Sequence, residues 1–162
     1  MIGHSNNRIE VAQGNGTAYV RIFGRGTFQV MADFRDFVQK SLDGGMGVFI
    51  DLSECETLDS SFIGTLVALS MKSKKGDERL IKLFNVSEHV KNILTTLGLM
   101  NILDVRDAAP VGEGQYSALQ TTVHDKVEIT SLMLDAHLTL SEINERNALE
   151  FKDVVEFLRH QS

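Results

Sequence analysis

The residues best suited to chemistry stand together as Asp59-Ser60-Ser61, one carboxylate beside two hydroxyls. They come just before Phe62, Ile63, Leu66, Val67, Leu69 and Met71, an apolar pattern with helical spacing. Hydroxyls at a helix start have two uses. As caps, they accept hydrogen bonds from N–H groups that the first turn leaves unpaired. As modification sites, they hold a phosphate where those N–H groups and the helix dipole favour negative charge. Capping is the commoner role for a serine, and Asp59 competes for it. The apolar run Val48-Phe49-Ile50-Asp51-Leu52 reads as the buried strand that delivers this triplet, through a polar loop, Ser53 to Thr57.

The same residues speak against an enzyme. A nucleophilic serine needs an adjacent general base and an oxyanion hole. No Gly-x-Ser-x-Gly elbow is present, and the spacing of the five histidines places none beside Ser60. Gly24-Arg25-Gly26 lacks the third glycine and the lysine of a nucleotide loop, so it reads as a turn. Asp51, Glu54 and Glu56 lie on one short segment without clustered partners, which favours a solvated face over a Mg²⁺ site. The histidines never fall at metal-ligand spacing, and Cys55 has no local base. No metal, cofactor or catalytic residue is expected.

Composition agrees with a binding module. A chain of 162 residues is one domain, or one domain with an appendage. A net charge of −6 and the absence of a basic run exclude an ordinary nucleic-acid binder. A single cysteine excludes a disulfide framework. The polar start, Met1 to Asn7, is no secretory signal, and no apolar stretch approaches the ~18 residues that span a bilayer. Together these predict a cytoplasmic protein.

Alternating element types predict the scaffold. Arg8 to Ala12 and Thr17 to Phe23 read as strands joined by the hairpin signal Gly14-Asn15-Gly16. Thr27 caps a helix carrying Val30, Met31, Phe34, Phe37, Val38 and Leu42, which Gly44-Gly45 stops. After the central strand, a helix runs from Ser60 to about Lys75, and Arg79 to Phe84 forms another strand. Asn85 and Glu88 stand at capping-box spacing ahead of Val86, Val90, Ile93, Leu94 and Leu97, with Gly98 as the stop. Ile102 to Val105 reads as an edge strand. The predicted class is α/β: a mixed, mostly parallel sheet with flanking helices, plus a C-terminal helical extension.

Residues 1–108 form the predicted domain, 109–125 a linker around the only proline, Pro110, with Gly112 and Gly114, and 126–162 the extension. In the extension Ile129, Leu132, Met133, Ala136, Leu140 and Ile143 mark one amphipathic helix. Ala148, Phe151, Val155 and Leu158 mark a second. Such stripes need cover. Self-association through these helices, as a homodimer, is the expectation, with folding back on the chain's own sheet, or a second docking site for a regulator, as the alternatives.

The ordered set of an Asp-Leu strand end, Asp59-Ser60-Ser61, Leu80 to Val86 and Leu97-Gly98-Leu99 resembles the STAS domain over residues 8 to 108. Within it, the chain resembles the bacterial anti-sigma-factor antagonists. The resemblance implies a STAS-like fold and a non-enzymatic partner switch, phosphorylated on Ser60. The unphosphorylated form would bind a serine kinase that doubles as an anti-sigma factor, of the histidine-kinase-like ATPase fold, and the phosphorylated form would release it. A metal-dependent serine phosphatase would reset the switch. An accessory STAS subunit of a lipid-transport ABC system is the alternative.

Asp59, Ser61, Phe62, Gly64 and Arg25 are the expected surroundings of the phosphosite and the partner-binding face. Two of these depart from the antagonist pattern. Phe62 stands where Gly is usual, so its ring points into the core or serves as an apolar anchor. Gly24-Arg25-Gly26-Thr27 replaces a Gly followed by an acidic residue, which presents a different charge to a kinase.

Overall fold

The computed structural model describes residues 7–107 and 115–161. Strands β1 (Arg8–Gly14) and β2 (Thr17–Gly26) form the predicted hairpin, turning at Asn15 and Gly16 with φ of 54° and 77°. Positive φ at both central residues is the reason Asn-Gly makes this turn. Helix α1 (Phe28–Asp43) begins with Thr27 Oγ1 accepting the Gln29 N–H at 3.2 Å and stops at Gly44. There follow β3 (Gly47–Asp51), β4 (Cys55–Leu58), α2 (Ser60–Lys72), the ribbon β5 (Lys74–Lys75) and β6 (Glu78–Arg79), and β7 (Ile81–Phe84). Helix α3 (Glu88–Thr96), β8 (Asp104–Arg106), β9 (Ser117–Ala118), α4 (Lys126–Ser141), α5 (Glu145–Glu150) and α6 (Lys152–Arg159) complete the chain.

The main sheet has the order β8-β7-β3-β2-β1-β9, with β4 paired to the far end of β2. Strands β2, β3, β7 and β8 run parallel; β1 and β9 are antiparallel additions. Alternation decides the faces. Ala18, Val20, Ile22, Val48, Ile50, Ile81 and Leu83 point into one core with Met31, Phe34, Phe62, Leu66, Val90 and Leu94 of the helices. Tyr19, Phe49 and Phe84 take the opposite face and pack edge-on, with ring centroids 5.8 and 5.1 Å apart.

Several predicted boundaries move, each for a physical reason. Ser53 to Thr57 is not all loop. The ten-residue β2 outruns β3, and Cys55–Leu58 satisfies the backbone groups at its exposed end, beginning with the Gly24 N–H to the Glu54 carbonyl at 2.9 Å. Asn85 caps nothing. It sits at φ 58° and donates from Nδ2 to Asp51 Oδ1 at 2.9 Å, while Ser87 Oγ takes the cap by accepting the Val90 N–H at 3.2 Å. Within the predicted linker, Ser117–Ala118 pairs with Glu10 and Val11 of β1. Pro110, Gly112 and Gly114 lie outside the described residues.

The extension covers its own chain. Helix α4 lies on α2 with Ala136 and Leu140 buried, and α6 lays Val155 and Leu158 against α4. The first stripe is therefore covered by α2 and not by the sheet, and Phe151, Val155 and Leu158 of the second lie on α4 while Ala148 stays exposed. The reason lies in α2 itself. Residues Ser61 to Val67, Leu69 and Ser70 are all buried, and a helix apolar on nearly every side needs a cover on its outer face.

The entry to the extension is tied to α1. His124 bonds Asp33 Oδ1 through Nε2 at 2.9 Å and Glu128 Oε1 through Nδ1 at 2.8 Å, and the Thr122 N–H also points to Asp33. Hydrogen bonds to Asp33 and then Glu128 raise the His124 pKa above the usual 6.5. A raised imidazole pKa contributes stability that is complete below the unfolded value and lost as pH rises through the folded value. His124→Ala should therefore lower the melting temperature at pH 6 and matter progressively less toward pH 8. An equal effect at both pH values, measured by thermal unfolding, would remove the ionic contribution.

Candidate functional site

Asp59 is the hinge of the site. Its Oδ1 accepts the Phe62 N–H at 2.8 Å and caps α2, while Oδ2 accepts the Phe28 N–H at 2.9 Å at the start of α1. Its own N–H donates to the Gly26 carbonyl at 2.9 Å, which fixes it to the end of β2. One carboxylate thus sits at the positive ends of two helices, where a negative charge is favoured. Capping belongs to Asp59, and neither serine performs it.

That leaves the Ser60 hydroxyl for another partner. Ser60 Oγ lies 2.8 Å from His137 Nε2 of α4. The imidazole is held in turn by Nδ1, 2.7 Å from the Met133 carbonyl. A carbonyl only accepts, so Nδ1 carries the hydrogen; in the neutral ring Nε2 is then an acceptor, and the Ser60 O–H donates to it. His137 is buried, edge-on to Phe151 at 5.4 Å. Ser60 itself is half-buried and opens on a cleft of about 400 Å³ whose wall includes Leu58, Ile63, Ile93, Leu97 and Phe151, with His89 and Asn92 among its polar groups.

The other expected surroundings divide. Arg25 is exposed at the end of β2 beside Thr57, its backbone N–H donating to Asn7 Oδ1 at 2.9 Å. Ser61 is buried, its carbonyl accepting the Thr65 hydroxyl at 2.9 Å. Phe62 is 0% exposed and lies against Phe34, ring centroids 4.5 Å apart. Of its two possible roles, the structure shows core packing. Gly64 meets the backbone of Ala136 so closely that a Cβ would overlap the Ala136 carbonyl. Ser61, Phe62 and Gly64 thus face the interior, and only Asp59, Ser60 and Arg25 remain at the surface.

Neighbouring groups are quiet. Burial opposes ionisation of Asp51, but hydrogen bonds from Asn85 and Ser53, with the charge of Arg21, outweigh it and hold the carboxyl below its usual range. Burial pushes the Cys55 thiol up to about 11, so it is no thiolate at neutral pH. Among the described residues no group of three or more His, Cys, Asp or Glu is gathered to hold a metal ion, and no helix is long and apolar enough to cross a membrane.

His137 is the residue that sequence reasoning missed. It lies 77 positions from Ser60 with no local pattern linking the two, and it overturns the expectation that no histidine stands beside Ser60.

Solved structures share the fold, among them the following two. A protein described as a "putative anti-sigma factor antagonist" from Thermotoga maritima superposes with a TM-score of 0.51 at 17% identity, over 61% of this chain and 85% of that one. The phosphorylated form of the Bacillus cell fate determinant SpoIIAA gives 0.51 at 17% identity, over 62% and 91%. No curated protein matches in sequence. The family model for the MlaB STAS domain matches residues 9–104, from the first strand of the sheet to the last parallel one, and the chain therefore belongs to the STAS domain family.

Proposed function

We propose that this chain is a non-enzymatic partner switch whose state is set by phosphorylation of Ser60. One observation carries the reading: Asp59 caps α2, which frees the Ser60 hydroxyl, at the rim of a surface cleft, from any need of the helix. A phosphoserine brings about −1.5 to −2 charges and three acceptor oxygens to that rim. Partner contact there would have to desolvate the dianion, so modification opposes docking while the domain stays folded. The partner is a serine kinase of the histidine-kinase-like ATPase fold acting as an anti-sigma factor, and a metal-dependent serine phosphatase restores the hydroxyl. Fold likeness to SpoIIAA, a protein solved in a phosphorylated form, supports this reading.

The test is incubation with ATP and a serine kinase of the histidine-kinase-like ATPase fold from the same organism, followed by mass spectrometry. Phosphate should appear on Ser60, and the modified chain should bind the kinase at least about tenfold more weakly. Ser60→Ala should bind whether or not ATP is present. Phosphate on Ser61 or elsewhere, with Ser60 unmodified, would refute the assignment.

A second reading is favoured by the family description. A MlaB-type STAS domain suits an accessory subunit of a lipid-transport ABC system. Binding to a transporter ATPase that is indifferent to Ser60→Asp would favour it over the switch.

A further inference from the structure

The contact between Ser60 and His137 is directional. With Nδ1–H committed to the Met133 carbonyl, Nε2 of the neutral ring offers only a lone pair, and the serine supplies the single hydrogen between them. Phosphorylation replaces that hydrogen with a group made of acceptors. A ring in that tautomer and the phosphoester oxygens then face each other with lone pairs alone.

The seam has no room to adjust. Gly64 is where α2 and α4 touch backbone to backbone, against Ala136. Ile63 and Phe151 line the cleft beside Ser60, and Ala136 and Leu140 on the helix of the histidine are buried, so this side of the seam is apolar and opposes a dianion. Asp59, held at two helix starts, adds a like charge beside Ser60.

The cover is also separable. The central core is built from the sheet and α1 to α3; of its fully buried members among the described residues, Leu140 is the one from the extension. Ile129, Leu132, Met133, Ile143 and Phe151 of the extension pack on it as partly buried residues, so loss of α4 strips an outer layer and keeps all but one of the fully buried members.

From these features we infer that the C-terminal extension is a latch: closure of α4 on α2 and a phosphate on Ser60 exclude one another. Modification releases the extension and exposes the flat strip of α2 at Gly64, Thr65 and Ala68. The unmodified chain keeps Ser60 partly covered, so a docking partner competes with α4 for the same face. The latch rests on Ser60 as the modified residue, and it adds the regulation of that site by the chain's own tail.

The experiment needs no kinase. Phosphoserine is installed at position 60 of the full chain by genetic encoding, and hydrogen exchange is followed by mass spectrometry. Residues 126–141 should exchange at least about tenfold faster than in the unmodified chain, while β3 and β7 keep their protection. In the unmodified chain His137→Ala should also speed exchange of that helix, since the hydroxyl loses its acceptor. In the phosphorylated chain the same substitution should change nothing further.

Unchanged or slower exchange of α4 would overturn the latch, slower exchange meaning that a protonated imidazole clamps the phosphate. Loss of protection reaching β3 would overturn it too, because the whole domain would then be opening. Either failure leaves the kinase experiment on Ser60 standing, so the latch and the switch are judged separately.

Discussion

Phe62→Ala is expected to lower the free energy of unfolding by about 3–5 kcal/mol, the range for truncating a fully buried aromatic. Phe62 is 0% exposed, packs on Phe34 and closes against Gly26 at the end of β2. It therefore holds the first turn of α2 to both α1 and the sheet, two residues from Ser60. A surface anchor for a partner would behave in the opposite way, weakening binding with almost no effect on melting. Equilibrium denaturation decides between them. A stability change below about 1 kcal/mol, with lost binding, would return Phe62 to the partner face.

Gly64→Ala is expected to separate the extension from the domain. The added Cβ overlaps the Ala136 carbonyl, a backbone atom that cannot rotate away, so α4 has to shift as a unit. Overpacking of this kind costs about 1–3 kcal/mol. Within α2 the change works the other way, since alanine in a helix interior is favoured over glycine by about 0.5–1 kcal/mol. The two effects act on different parts of the chain and give a double signature. Protection of residues 126–141 from hydrogen exchange should fall, while β3, β7 and α2 itself stay protected. Retained protection of α4 would show that the seam has slack, and would weaken the case for the latch as well.

The sheet, its helices and the serine were legible in the sequence because their signals are local. Asn15-Gly16 makes its own turn, Thr27 caps its own helix, and Val48 to Leu52 announces a buried strand by its side chains alone. Asp59, Ser60 and Ser61 were placed correctly at a helix start for the same reason, and Asp59 proved to be the cap. The errors fell where a longer-range partner won. Asn85 left its apparent capping box for Asp51, and Cys55 to Leu58 became a strand because β2 had an edge to satisfy.

The reach of the extension could not be read from its stripe. Amphipathicity states that Ala136, Leu140, Val155 and Leu158 must be buried, and it does so without naming the surface that buries them. A second copy and the chain's own α2 satisfy that demand equally in one dimension. Only the folded chain shows α2 apolar on its outer side, a glycine at the crossing and a buried histidine bonded to Ser60. The sequence by itself thus determined the STAS scaffold and the position of its serine. The tertiary structure alone decided that the half-buried serine is paired with His137, because a contact across 77 residues depends on how whole helices pack and leaves no local trace.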